Sequence, residues 1–511
     1  MSEFSVLPYD LDSLIRCFVG GSGFTSEKEA REKSHSRYFK EYFEELRAAT
    51  MVTEPEYIDK DYLEDYAAYY DRCFRDYKRR TLRLHFFSQA FDKEEFERTL
   101  TTLQKTDKLC ESYLGFIVVK PLPQKIIGRT CLKTYPEEGR RNFPILRDYP
   151  VNLFGLELTV RSLAYQEQDT VVAACATSAL WSCFQGTGVL FQHKIPPPVE
   201  ITEWAGSHLP ENLLASSFRT FPNSGLTATQ MAYAVRRVGL DPLAIGANSR
   251  YALNSVMYAY LRGKIPSILA IGIDRQGHTG GHAVAVTGYS LGCKDPVPEK
   301  NGFLLRANRI DRIYAHDDQV GPFARMIWQE RRADGKHILE TSWDSEYVVT
   351  PRFLLFPLYH KIRIPFSLLE QAIIALDARL EQVRKIVSGV NRAEWDIYLT
   401  TANDYKTSVR TDYRDWGEKT LLRSLTVDLP RFIWRVMMRV DNELRFDFLF
   451  DATGIAQHDL LVHMATTGKE EDYGLIFSLT NLVSESVGHS KLPRQAKAIL
   501  GCFTKSPSLP H

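Results

Sequence analysis

A cysteine, a histidine, an aspartate and a glutamine at separated points of the chain are the residues whose types could do chemistry together. Acyl transfer by a thiol needs a thiolate, a base that takes and returns its proton, a group that orients the base, and donors for an oxyanion. Cys175 stands in "VVAACATSALWSCF", after the polar "YQEQDT" and at the opening of an apolar run. A helix that starts there aims its unpaired N–H groups at the sulfur, which favours a thiolate. The small neighbours Ala173, Ala174, Ala176 and Ala179 let such a helix pack closely on a sheet. By type alone a cysteine is core material, and Cys183, two turns on beside Trp181 and Phe184, is read that way. Only partners elsewhere in the chain separate Cys175 from the same reading.

The candidate base is His282 in "TGGHAVAVTGY". Glycines ahead of it leave room for a substrate backbone, and it opens an apolar strand. A lone histidine there is more often structural, but the preceding "YLRGKIPSILAIGI" supplies a helix, a stop and a neighbouring strand. Asp317 in "IYAHDDQVGPF" ends the next strand, where its carboxylate can accept the His282 Nδ1–H and hold the tautomer. Asp318 is adjacent. Strand alternation turns one of the two inward, and an aspartate pair before a glycine turn can equally cap that turn. Gln168, seven residues before Cys175, is the candidate side-chain oxyanion donor, with Gln166 a weaker one.

Two rival chemistries fit less well. His278 and His282 have the spacing of a zinc-binding helix, with His316 further on, but two glycines and no glutamate lie between them. No metal or other cofactor is expected. "GGSGFTSEKEA" is glycine-rich and opens a charged helix, but it lacks the Gly-Lys-Ser/Thr ending of a phosphate loop, so a turn is expected.

The elements that must position these residues fall into three blocks. Residues 1–150 form an N-terminal α+β domain, with helical "DYLEDYAAYYDRCFRDYKRR" and then strands at "YLGFIVVKPLP" and "IIGRTCLKTY". Residues 151–360 form the catalytic block. After the Cys175 helix come a proline loop, "KIPPPVEI", and a polar loop, "RTFPNSG". Two helices follow: "LTATQMAYAVRRVG", capped by Thr227 or Thr229 and stopped at Gly239, and "SRYALNSVMYAYLRGKIP". Strands at "SILAIGID", "GHAVAVTGYS" and "RIDRIYAHDD" come next. Helices first and strands afterwards mean α+β. Residues 361–511 form a C-terminal α/β domain. It opens on the helix "SLLEQAIIALDARLEQVRKIV" and contains a β-hairpin turning at Asp441-Asn442, whose first arm also reads as a helix. The tail "KSPSLPH" is expected to be disordered.

The 64 basic and 63 acidic side chains of the 511 residues leave a net charge of +1, which argues against a nucleic-acid footprint or a polybasic membrane patch. No apolar run approaches the roughly 20 residues of a membrane span, and "MSEFSVLPYDLDSLIRCF" has no signal-peptide pattern. Eight scattered cysteines without a Cys-x-x-Cys pair point to a reducing, cytoplasmic setting.

Cys-Ala at a helix start, then "HAVAVTGY", then a strand ending in Asp before a glycine is similar to papain-like cysteine peptidases. It most resembles the bacterial branch typified by double-glycine leader peptidases. The resemblance spans Tyr165 to Met326. It implies a helical half carrying Cys175 and an antiparallel sheet half carrying His282 and Asp317. It further implies a thiolate–imidazolium pair at Cys175 and His282, Asp317 as orienter and Gln168 as oxyanion donor. The chain departs from the family pattern at Asp169, where the oxyanion glutamine usually stands, at Ala176 in place of glycine, and at Asp318 in place of proline. The leader peptidases' export role does not carry over, because the sequence has no membrane span and no ATPase motif. The function expected is hydrolysis of a peptide bond in a protein or peptide substrate. The flanking domains would select that substrate or hold the site inactive, with a regulatory protein as a possible partner. A deamidase or acyltransferase on the same triad, and an inert papain-like binding module, are the alternatives.

Overall fold

Alternating and continuous apolar runs build most of the strands in the computed structural model, and amphipathic runs closed by caps build the helices. The structure describes residues 4–103, 106–207, 225–275, 278–292, 298–299, 302–330, 337–341, 347–386, 392–454, 460–467 and 492–502. The tail "KSPSLPH", Cys293 and most of "RTFPNSG" lie outside them. Among the described residues no helix is long and apolar enough to cross a membrane. The fold is α+β. Its contacts group into two units: Met1–Asn248, Pro266–Ser290 and Arg312–Pro357 in the first, and Ser249–Ile265, Leu291–Asp311 and Leu358–His511 in the second. The expected blocks 1–150 and 151–360 thus both contribute to the first unit, while the "SRYALNSVMYAYL" helix groups with the C-terminal residues.

In the first unit an antiparallel sheet runs in sequence order: β1 (Ser5–Pro8), β2 (Thr50–Tyr57), β3 (Thr81–Phe87), β4 (Tyr113–Val119) and β5 (Ile127–Leu132). The wholly apolar "YLGFIVV" of β4 is buried at every residue because it has a strand on each side. Gly115 has to be glycine there: its φ is +119°, and a Cβ would come within 2.0 Å of the Cys131 carbonyl oxygen. Helices α1 (Leu11–Ser22), α2 (Glu27–Glu32), α3 (Ser34–Glu45), α4 (Lys60–Ala68), α5 (Lys93–Thr102) and α6 (Thr106–Ser112) connect these strands. The "GGSGFTSEKEA" stretch is indeed a connection. Gly23 closes α1 at φ +68°, and Ser26 and Glu29 form a capping box that opens α2.

After the two-residue β6 (Arg141–Asn142), the hairpin β7 (Arg147–Leu153) and β8 (Leu156–Ser162) alternates buried and exposed residues along its length. Helices α7 (Cys175–Phe191), α8 (Pro198–Gly206) and α9 (Ala228–Arg237) follow. The proline loop is shorter than expected, since Pro198 opens α8 at a position where its missing N–H costs nothing. Thr227, one of the two expected caps, forms a capping box with Gln230. A second sheet holds β9 (Asp241–Gly246), β10 (Ser267–Arg275), β11 (His278–Leu291), β13 (Ile310–Asp317), β14 (Gly321–Glu330), β15 (His337–Glu340) and β16 (Val348–Leu358). Its order is β15-β14-β13-β11-β10-β16-β9, with β6 against β11. β10 and β11 are antiparallel, from Ser267 opposite Val286 to Arg275 opposite His278. The small residues of α7 meet this sheet closely: Ala176, Ala179, Leu180, Trp181 and Phe184 share one core with Ile268, Ala283 and Ala285. Leu180 is fully buried in that core, and truncating such a residue to alanine costs about 2–5 kcal/mol.

The second unit contains α10 (Arg250–Leu261), α11 (Phe366–Ile386), α12 (Ala402–Asp412), α13 (Glu418–Thr426) and α14 (Arg494–Gly501). Its sheet runs β12 (Leu304–Leu305), β17 (Glu394–Thr401), β18 (Phe432–Val440), β19 (Glu443–Asp451) and β20 (Leu461–Thr466). Among the described residues only the β12–β17 pairing is parallel there, so this segment is α+β rather than the α/β expected. The expected hairpin is β18–β19. Asp441 and Asn442 both take positive φ, 53° and 65°, as a two-residue turn matched to strand twist requires.

Candidate active site

Cys175 is the first residue of α7. Ala174 before it is extended and lends no side chain to the first turn, so no capping group competes for the N–H groups there. The approach to α7 is tied down by Asp169. Its carboxylate accepts the Tyr70 hydroxyl at 2.6 Å and the N–H groups of Val171 and Val172 at 2.8 and 3.1 Å. Its own N–H donates to the Ala173 carbonyl at 2.7 Å. The Val172 carbonyl is held by the Thr202 hydroxyl at 2.6 Å. Asp169 therefore anchors the loop that delivers Cys175.

β11 carries His282 opposite Ile271. The imidazole is 6% exposed, and its Nε2 lies 2.9 Å from Oδ1 of the fully buried Asp317. Asp317 also accepts the Gln319 N–H at 3.0 Å. The expected contact used Nδ1; the structure uses Nε2. The Cys175 thiol acts on the same ring and helps to raise its proton affinity. Burial pushes the imidazole toward neutrality, but Asp317, the thiol contact and Asp318 outweigh it and hold His282 well above its ordinary value.

Alternation does not choose between the two aspartates. Asp317 is the last residue of β13, and Asp318 lies in the turn that follows, where period two no longer applies. Both carboxylates are buried at the histidine, with Asp318 Oδ1 3.6 Å from Nε2. Neither Asp318 oxygen has a hydrogen-bond partner among the described residues. Burial, reinforced by Asp317 and opposed by His282, pushes this carboxyl up to about 7. His316 faces elsewhere. It accepts the Phe323 N–H at 3.1 Å and meets the Leu163 carbonyl at 3.1 Å, and burial drives it down to about 3.

Cys175 and His282 line one cleft of about 660 Å³. Its walls include Met231 and Gln230 of α9, Phe353 and Arg352 of β16, and the glycines ahead of His282. A Cβ at Gly280 or Gly281 would meet nothing within 4 Å, which leaves open space beside the histidine as the sequence suggested. Gln168 is half-buried, and Gln166 is buried with its amide nitrogen unpartnered among the described residues; neither lines this cleft. Cys183 is buried with its thiol pushed up by desolvation, as a packing residue should be. Among the described residues His282, Asp317 and Asp318 are the group whose ligand atoms lie close enough, within 4.8 Å, to hold a metal ion. Nε2 of that histidine is engaged with Asp317, and the side chain of His278 is outside the described residues. Sequence reasoning missed Arg352, and no local signal announces it.

Compared with known proteins, the chain matches no family model and no curated sequence.

Proposed function

We propose that this chain is a papain-like cysteine peptidase that hydrolyses a peptide bond through Cys175, His282 and Asp317. The observation that carries the reading is a thiol at a helix start that shares one cleft with an imidazole, which is itself hydrogen-bonded to a buried carboxylate. A helix bearing the cysteine and antiparallel strands bearing the histidine and aspartate agree with the papain-like arrangement. The cleft volume lies in the range of substrate pockets, roughly 300–1,000 Å³. The seven described cysteines are free thiols, which suits a reducing, cytoplasmic setting.

In this mechanism His282 takes the Cys175 proton and sulfur attacks the scissile carbonyl carbon. The carbonyl oxygen becomes an oxyanion facing the N–H groups of the first turn of α7. As the C–N bond breaks, His282 passes the proton to the departing amine and a thioester remains. Water then attacks that thioester, losing a proton to His282, and the acid is released as the thiol regains its proton. Asp317 keeps the ring oriented and stabilises its charged form throughout. Haloacetamide labelling of the full chain, with the modified cysteine located by mass spectrometry, tests the first step. Selective modification of Cys175 that is lost in His282→Ala supports the reading. Equal labelling of Cys73 and Cys175, or labelling indifferent to His282, removes it.

A further inference from the structure

Arg352 occupies an irregular place in the second sheet. Ala270 pairs with Phe353 and Ile271 with Pro351, so Arg352 is the extra residue of a bulge on β16. Its backbone carbonyl accepts the Ala247 N–H at 2.9 Å, which anchors the bulge from the β9 side. Bulges commonly re-aim a side chain beside an active site. Here the guanidinium is laid across Gly272, where an added Cβ would come within 2.6 Å of Nε and 2.9 Å of Nη2. Gly272 pairs with Gly281, the residue before His282. Neighbouring strands are about 4.8 Å apart, so the guanidinium lies roughly one or two residues of extended peptide from the reacting centre.

Among the described residues the charge is also uncompensated. Arg352 is exposed and its guanidinium has no ion-pair or hydrogen-bond partner among the described residues. No aspartate or glutamate lines the cleft among those residues. A guanidinium at the cleft wall attracts anions, and its planar fork matches a carboxylate.

We propose that Arg352 is a specificity residue that selects substrates presenting a carboxylate one or two residues from the bond to be cleaved. The proposal rests on the thiol-peptidase reading of the same cleft. An acidic side chain and a free chain terminus offer the same group, and the test separates them.

Haloacetyl tripeptides on one scaffold, carrying Glu, Gln or Lys and ending in an acid or an amide, are reacted with the full chain, and the Cys175 alkylation rate is read by mass spectrometry. The Glu amide is expected to outpace the Gln amide by about tenfold, the scale of one charge-assisted hydrogen bond in a cleft. A larger gain for the Gln acid over the Gln amide would identify the chain terminus as the source. Arg352→Ala brings these ratios to about one, Arg352→Lys retains part of them, and Arg352→Glu makes the Lys peptide fastest, with thermal melting confirming each fold. Wild-type ratios near one, or ratios that survive Arg352→Ala while Cys175 still reacts, overturn this proposal alone. A wild-type Cys175 that reacts with every peptide no faster than Cys73 overturns the thiol reading and this proposal with it.

Discussion

Asp317 and Asp318 are consecutive in the chain, yet both carboxylates reach the same imidazole nitrogen: Nε2 of His282 is 2.9 Å from one and 3.6 Å from the other. The two are not equivalent. Asp317 accepts a hydrogen bond from the ring and one from the Gln319 N–H, whereas Asp318 has no hydrogen-bond partner among the described residues. Asp317→Ala should lower kcat about 10²-fold, the scale of a misoriented general base, with Asp317→Asn retaining more. Asp318→Ala should cost less than Asp317→Ala. Steady-state kinetics on a cleaved peptide decide it, and equal losses would remove the distinction.

Protonation of this cluster sets a pH dependence of stability. Asp318 is raised from 3.8 to about 7 in the fold, so the folded state holds a proton that the unfolded chain releases. That contribution is complete below the unfolded value and disappears as pH rises through about 7. His282, raised well above its ordinary 6.5 chiefly by Asp317 against its burial, acts with the same sign and loses its contribution as pH rises through its folded value. Asp318→Asn should therefore melt above wild type at pH 8 and show a flatter profile between pH 5 and 8. Parallel melting curves for the two proteins would mean that Asp318 is ionised in the fold.

Thiol chemistry and metal chemistry at His282 separate under chelation. Activity should survive EDTA dialysis unchanged and vanish in Cys175→Ala. Loss on dialysis with recovery on adding zinc would instead make His282, Asp317 and Asp318 ligands.

Asp169 is predicted to matter at a distance from the reacting atoms. Replacing it with alanine strands the buried Tyr70 hydroxyl and two N–H groups, which should cost about 1–3 kcal/mol for each group left without a partner. Denaturant titration measures the loss, and kcat should fall with it because the loop that delivers Cys175 loosens. Stability falling while kcat holds would confine Asp169 to a structural role.

Cys183 provides the internal contrast. In wild type under native conditions it should resist alkylation until the chain unfolds, being fully buried in the core of α7. Cys183→Ala should keep activity and lose stability by about 1 kcal/mol, the scale of one small buried group. Abolished activity in that variant would mean that the two cysteines have been assigned the wrong way round.

Local pattern determined much of this molecule. Small and apolar residues after a polar stretch place a helix start at Cys175, period-two runs flanking Asp441-Asn442 make a hairpin, and Thr227 with Gln230 writes its own cap. These features depend on neighbours a few residues away, so they are legible without the rest of the chain. The site's finer geometry depends on where strands end and where they bulge, and both are relations between paired strands. The end of β13 at Asp317 left Asp318 in a turn, and both carboxylates meet one histidine where alternation allowed one, while the shift opposite Ala270 and Ile271 makes Arg352, which lines the cleft, the extra residue of β16. The choice of Nε2 over Nδ1 likewise follows from where β11 and β13 hold their side chains. Types and spacing in the sequence named the cysteine, the histidine and the aspartate. Only the paired register of distant strands decided which atoms of theirs meet, and which further charge stands beside them.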